Sequence, residues 1–261
     1  MMDIYEKWFA GYTAELRDLI VESAMPAVLD EVDLKIEHTY RVQDICKQIA
    51  KWLKLSERDI QLAEIIGLFH DLGRFAQAIQ FGTMDDRITG SHGEMSADIF
   101  LYEAPKSDLT GEEISIIESA LRNHNVFRLS KTLNERQLFF TQLARDGDKL
   151  DIFRFYTDKN EKRTFRFIMP TTPGEYSLEM LAGVLKGENL RVSGVRNSND
   201  RKLMQISLVY DMNFGYSFQH MLEKDYLGMV TGVADGTADD IMKKVYDYAT
   251  KWMKDKLEKS Q

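Results

Sequence analysis

Apolar residues recur at intervals of three and four along most of the chain, which is the spacing of one face of an α-helix. The pattern predicts nine helices, at about 3–24, 30–53, 56–71, 92–103, 111–124, 133–158, 177–187, 200–224 and 237–258. Ser56, Asp108 or Thr110, and Thr237 are the predicted N-terminal caps. Gly73 is expected to close the third helix just after Asp71.

Strand-like alternation is confined to two short stretches. Thr164–Ile168 and Leu190–Val195 predict a short hairpin or an extended arm. The longest loop-like stretch, 158–176, predicts a boundary between two helical parts. We therefore expect an all-α protein with a helical core over 1–160 and a C-terminal helical subdomain over 161–261 that packs on the core.

Composition and charge narrow the classes of partner. The 261 residues include 34 basic and 42 acidic side chains, a net charge of −8, and no basic block. This balance disfavours nucleic acid and anionic membrane as the main partner. The first helix is charged and no long apolar run occurs, so the sequence predicts neither a membrane span nor a secretory signal, and we expect a cytoplasmic protein. The single cysteine, Cys46, excludes an intramolecular disulfide and lies on an apolar stripe, as a small hydrophobic residue does.

Four of the five histidines lie in register with the apolar face of a predicted helix: His38, His70, His92 and His124. A single histidine on an apolar face is usually a core residue with satisfied hydrogen bonds. Four of them weaken that interpretation. His220 has no comparable setting, and we expect it to be structural.

Two aspartates, Asp71 and Asp148, share these inward faces. An ionised carboxylate in a core costs several kcal/mol unless it is paired or bound to a metal. Arg145 and Lys149 could pair with Asp148, so a structural salt bridge remains an alternative. Imidazoles and carboxylates that converge from five helices are the donors that a borderline or hard divalent transition metal requires.

These residues resemble the HD-domain superfamily of metal-dependent phosphohydrolases, whose pattern is a histidine, a His-Asp doublet and a distal aspartate. EHTYRV contains His38, GLFHDLGRF contains His70 and Asp71, and ARDGDKLDIF contains Asp148, in the order of the family. The resemblance covers about 25–160. It implies an HD-domain helical bundle with a C-terminal helical extension.

The resemblance also implies a metal centre. Members with two further histidines between the doublet and the last aspartate hold two metals, and this chain has His92 and His124 there. The implied first metal is held by His38, His70, Asp71 and Asp148, and the second by His92 and His124, with Asp71 bridging. Two divalent transition metal ions are expected, and Fe, Mn, Zn, Co and Ni all accept such ligands.

The implied activity is that of a metal-dependent phosphohydrolase, either a phosphomonoesterase or a phosphodiesterase. Its expected substrate is a small phosphorylated metabolite, first of all a nucleotide, with attack of a metal-bridged hydroxide on phosphorus. Asp71, Arg74 and Lys149 are the candidate catalytic residues, the two cations stabilising negative charge in the transition state. Surface ion pairs are the structural alternative for both cations.

Further candidates are weaker. Arg41 and Arg128 lie one helical turn from His38 and His124, and the loop 81–91 has the composition of either a lid or a plain connector.

Two other functions use the same ligands. Dinuclear iron oxygenases that resemble myo-inositol oxygenase share the ligand set, and a non-catalytic ligand-sensing HD domain would keep it without turnover. We favour hydrolysis because hydrolases dominate the superfamily and nothing outside the ligands resembles the oxygenases.

Overall fold

A computed structural model of the protein describes residues 2–22, 26–160 and 169–260. Every regular element in these ranges is helical, and none of the described residues lies in a strand. The prediction of an all-α fold is therefore confirmed.

The chain order is as follows. The helices are α1 (Met2–Glu22), α2 (Pro26–Trp52), α3 (Glu57–Phe69), α4 (Leu72–Phe81), α5 (Asp86–Thr89), α6 (His92–Tyr102), α7 (Gly111–Asn123), α8 (Glu135–Thr157), α9 (Leu178–Val184), α10 (Ser198–Ser207), α11 (Gly215–Glu223), α12 (Tyr226–Thr231) and α13 (Asp240–Glu258). Two 3-10 turns cover Val192–Gly194 and Leu208–Asp211.

The described chain divides into two compact units. The first takes the described residues up to Asp148, and the second takes those from Lys149 onward. The division falls inside α8, so its last turns belong to the second unit. The predicted domain boundary after residue 160 stays a prediction.

Aromatic side chains fill the core of the first unit. Phe69, at the end of α3, is fully buried, and its ring centroid lies 5.9 Å from Tyr5, 5.5 Å from Trp8 and 6.0 Å from Phe100. Such edge-on and tilted contacts add about 0.5–1.5 kcal/mol per pair to the burial of the rings. They hold α1 and α6 against the end of α3 that carries the His-Asp doublet.

Four glycines let the helices of the first unit approach one another closely. A Cβ atom added at any of them would lie under 3.0 Å from a neighbouring element, which excludes larger residues. The glycines and the residues met are Gly67 with Gln43, Gly73 with His92, Gly93 with Leu121, and Gly147 with Cys46. Each crossing lies next to a predicted metal ligand.

The role expected for Gly73 is wrong. The predicted helix 56–71 ends at Phe69, and a second helix begins at Leu72, so Gly73 lies inside α4. The chain turns between them at Asp71, whose φ of −106° and ψ of 15° are not helical. A Cβ at Gly73 would lie 2.2 Å from the carbonyl oxygen of His92, so this position needs glycine for close packing and not for a helix end.

The C-terminal predictions also need correction. The segment 200–224 is not one helix but α10, a 3-10 turn and α11, and α12 was not predicted. A 3-10 turn keeps apolar residues at three-residue intervals, so the pattern runs through the break. Leu190–Val195 contains a 3-10 turn instead of an extended arm, and Thr164–Ile168 lies outside the described residues.

The second unit has its own aromatic core. Trp252 of α13 contacts Tyr210 and Phe218 edge-on, with ring centroids 5.0 and 5.7 Å apart. Phe153, in the last turns of α8, stacks on Tyr226 at 6.3 Å. These contacts hold α11, α12 and α13 together around the end of α8.

Two of the three predicted caps are confirmed. The Ser56 hydroxyl accepts from the Asp59 N–H, and Thr110 forms a reciprocal capping box with Glu113. At α13 the cap is Asp239, which accepts from the Met242 N–H, and not Thr237. Thr237 instead donates its hydroxyl to Asp235, 2.7 Å away.

Glu113 joins its capping box to α3. It accepts from Arg58 Nη2 at 2.7 Å and from the Thr110 N–H at 2.8 Å, and Arg58 also donates to the Asp108 carbonyl. The hydrogen bonds from Arg58 lower the pKa of Glu113 to about 2. A carboxylate with a depressed pKa adds stability above its unfolded pKa, and this stability is lost as the pH falls through the folded value.

We therefore predict that Glu113→Gln lowers the free energy of unfolding at pH 7 by about 2 kcal/mol, the size of one lost hydrogen bond to a charged group. The difference from the wild type should shrink between pH 4.5 and pH 2, because the wild-type carboxylate is then protonated. Urea unfolding at both ends of this range measures it. Glu112→Gln, on the exposed side of the same turn, is the control; an equal effect of both substitutions would contradict the prediction.

Candidate metal centre

The first unit brings all six predicted metal ligands together. Four of them stand at the start or the end of a helix, and the other two lie within helices. His70 follows α3, Asp71 precedes α4, His92 begins α6, His124 follows α7, His38 lies in α2, and Asp148 lies in α8.

Asp71 stands at the centre of the cluster and is 2% exposed. Its Oδ2 lies 3.5 Å from His38 Nε2 and 3.3 Å from His70 Nε2. Its Oδ1 lies 3.3 Å from His92 Nε2 and 3.9 Å from His124 Nε2. The two oxygens of one carboxylate therefore face two different histidine pairs.

Within each pair the Nε2 atoms face each other closely. The distance is 3.2 Å between His38 and His70 and 3.0 Å between His92 and His124. Asp148 joins the first pair, with its Oδ1 3.1 Å from His38 Nε2 and 3.9 Å from His70 Nε2. The donor atoms of each group, His38 with His70 and Asp71, and Asp71 with His92 and His124, lie within 4.8 Å of one another.

Hydrogen bonds at Nδ1 set the tautomers of three rings. His70 Nδ1 donates to the Gly67 carbonyl and His124 Nδ1 to the Leu121 carbonyl, each at 2.8 Å. His92 Nδ1 donates to the Asp86 carboxylate at 2.8 and 2.9 Å. In a neutral ring the other nitrogen then carries a lone pair, so Nε2 of all three is available to a metal.

The pKa directions of His92, His124 and Asp71 match those of metal ligands, whereas the neighbouring Asp71 carboxylate raises the pKa of the buried His70. Burial and the charge of Arg74 lower the pKa of His92, and burial with the neighbouring His92 and His70 lowers that of His124 well below its ordinary value. Burial opposes ionisation of Asp71, but Lys35 and His70 hold its pKa well below the usual range. A metal binds neutral imidazole and ionised carboxylate.

The arrangement fits a divalent transition metal. Two neutral imidazoles whose Nε2 lone pairs face each other at 3.0 Å repel unless a cation lies between them, and His92 and His124 form such a pair. Nitrogen and carboxylate donors in a buried site suit zinc, iron, manganese, cobalt or nickel. The residues present therefore fit the metal that the sequence predicted.

Arg74 lies beside the cluster. Its Nε is 3.8 Å from Asp71 Oδ1, is buried, and has no hydrogen-bond partner among the described residues. Its Nη1 donates to Asp86 Oδ1 at 2.9 Å and to the Met84 carbonyl. One side of the guanidinium is thus anchored, while the other is turned to the bridging carboxylate.

Lys35 is a residue of the cluster that the sequence analysis missed. Its Nζ lies 2.6 Å from Asp71 Oδ2, and its side chain is 14% exposed. Lys35 precedes His38 by one helical turn, so the two share a face of α2. A search of the apolar stripe for charged residues one turn from each ligand would have found it.

Two basic residues expected near Asp148 have other partners. Lys149 Nζ lies 2.7 Å from Asp211 Oδ2, within the second unit. Arg145 Nη1 donates to the carbonyls of Asn123, His124 and Val126 at 2.7–3.0 Å. These contacts involve the two residues that the sequence analysis considered as alternative salt-bridge partners of Asp148.

The remaining candidates lie in ordinary surroundings. Arg41 pairs with Glu37 at 3.6 Å, and Arg128 is exposed. Cys46 is fully buried, and burial raises the pKa of its thiol. In the second unit, His220 stacks on Tyr216 with ring centroids 5.8 Å apart, which agrees with a structural role.

Residues 36–152 match the family described as HD domain, and this range includes all six clustered residues. The matched segment makes up 117 of the 261 residues, and this part of the chain is similar to an HD domain. No curated protein and no solved structure matches the chain significantly. Among the described residues, no helix combines the length and the apolar character needed to cross a bilayer.

Arg145 gives a prediction about the support of His124. Replacing it with Met removes the two N–H groups of Nη1 that the three carbonyls at the end of α7 share, so the free energy of unfolding should fall by roughly 2 kcal/mol. Urea denaturation measures the change, with Arg128→Met as the exposed control. Equal stability of both variants would show that water replaces the guanidinium at no cost.

Proposed function

We propose that this protein is a metal-dependent phosphohydrolase that acts on a small phosphorylated metabolite. The observation that carries the proposal is the bridging position of Asp71 between two histidine pairs. The first ion would be held by His38, His70, Asp71 and Asp148. The second would be held by Asp71, His92 and His124.

Charge supports a phosphate ligand. Two divalent ions bring four positive charges and the two aspartate ligands return two negative ones, which leaves a local excess of two. Lys35 and Arg74 add to it at Asp71. Because the protein has a net charge of −8, its surface repels anions on average, and an anionic substrate would be attracted to this site instead.

The bound metals would supply a Lewis acid and lower the pKa of a coordinated water towards neutrality. The chain's own residues would hold the metals and orient the groups around them. Asp71 keeps the two halves of the centre together, His70 and His124 are fixed by backbone carbonyls, and Arg74 turns its unpartnered Nε to the same carboxylate. A donor placed there stabilises negative charge on phosphoryl oxygens more in the transition state than in the ground state.

The similarity to HD domains supports the proposed substrate class. HD domains are chiefly phosphohydrolases, so phosphate monoesters and diesters are the reactions to test, with nucleotides as the first candidates. A panel of p-nitrophenyl phosphate, bis-p-nitrophenyl phosphate and nucleotides distinguishes monoesterase from diesterase activity. Oxygen consumption with a polyol, without phosphate release, would contradict the proposal.

The proposed two-metal centre predicts the metal content of the protein. Wild-type protein reconstituted with Mn²⁺ should bind two ions per chain, and Asp71→Ala should lose affinity for both because each ion loses its shared ligand. Elemental analysis after desalting measures it. A wild type that never exceeds one ion per chain would contradict the two-ion centre.

The proposed role of Arg74 predicts how its replacement changes kcat. Arg74→Met should lower kcat by roughly 10²–10³ with a smaller change in KM, as expected when one stabiliser of transition-state charge is removed. Metal content should stay at the wild-type value. Lys149→Met is the comparison, since Asp211 holds that ammonium; a larger loss of kcat in Lys149→Met than in Arg74→Met would transfer the role to Lys149.

A further inference from the structure

We propose that Asp86 is a positioning residue that orients His92 for the second metal and Arg74 for the substrate phosphate. The proposal rests on the proposed two-metal function. It assigns a task to the short helix α5, in the loop that the sequence suggested as a lid or a connector.

Asp86 collects donors from two helices, α4 and α6. Its two oxygens lie 2.9 and 2.8 Å from His92 Nδ1. Its Oδ1 also accepts from Arg74 Nη1 and from Gln77 Nε2, each at 2.9 Å. One carboxylate thus touches a predicted metal ligand and a predicted catalytic cation at the same time.

This support differs in kind from that of two other rings. His70 and His124 donate Nδ1–H to backbone carbonyls, which are neutral acceptors. His92 donates to a carboxylate. A charged acceptor fixes the tautomer more strongly and makes the imidazole a better donor to a metal at Nε2.

Gln77 holds the Asp86 carboxylate in position. It is fully buried, and its amide nitrogen also lies 2.5 Å from Thr89 Oγ1 and 2.9 Å from the Gly90 carbonyl oxygen, so its two N–H groups are shared among these acceptors and Asp86. The end of α5 is therefore tied to α4. This arrangement keeps Asp86 in place as a fixed part of the site.

Two readouts test the proposal, and Asp85→Asn is the matched control. Asp85 is the neighbouring carboxylate; within the described parts of the chain its side chain binds Arg87 and no residue of the metal centre. Mn²⁺ titration of Asp86→Ala should show the second ion bound 10–100-fold more weakly, with the first ion within about threefold of the wild type. Asp86→Asn keeps an oxygen acceptor and should recover part of the loss.

The second readout needs no metal. In ¹⁵N-histidine NMR spectra of chelated protein, wild-type His92 should show the Nδ1–H tautomer alone, and Asp86→Ala should show a mixture of both tautomers. Asp85→Asn should leave the wild-type spectrum. An unchanged His92 tautomer in Asp86→Ala would overturn the proposal.

The outcomes separate the two hypotheses. Equal weakening of both ions in an Asp86→Ala protein with wild-type thermal stability would overturn the positioning role, because it would indicate a general effect of charge. Should the wild type bind fewer than two ions, the proposed function fails while the tautomer experiment still decides the role of Asp86. If Asp86→Ala does not fold, Asp86→Asn provides both readouts.

Discussion

The whole site depends on one buried carboxylate. Asp71 lies at the junction of two helices with almost no exposed surface, and an ionised carboxylate in such a place costs several kcal/mol unless cations or strong donors surround it. Its surroundings meet that demand from several directions, with two histidine pairs, a lysine and an arginine. The helices α2, α4, α6 and α7 are placed so that these groups reach the two carboxylate oxygens of Asp71.

Helix ends do most of the positioning. The last carbonyls of a helix have no partner within it. At the end of α3 the Gly67 carbonyl accepts from His70, three residues later, and at the end of α7 the Leu121 carbonyl accepts from His124 in the same way. The same local hydrogen bond, at the end of each helix, gives the free carbonyl a donor and fixes the tautomer of the histidine. It directs both Nε2 atoms to Asp71.

The sequence pattern was sufficient for the parts of this site that lie on single helices. His38, His70, His92, His124 and Asp148 could be found because each lies in register with an apolar stripe, and register is a local property. Gly73 was misread because its cause is a carbonyl on α6, a contact between helices that spacing along one helix does not show. Asp86 begins the four-residue helix α5, which is too short to show a period, so no pattern indicated its bond to His92.

The two halves of the centre obtain negative charge by different routes. On the Oδ2 side of Asp71, a second carboxylate, Asp148, lies directly against the histidine pair. On the Oδ1 side, the carboxylate of Asp86 lies behind His92, 2.8 Å from its Nδ1. Each half therefore combines the shared carboxylate with one of its own, placed in contact in one case and one imidazole away in the other. Because a metal's affinity and Lewis acidity follow the charge of its ligands, the second position of the proposed two-metal centre would hold the more weakly bound and more electrophilic ion.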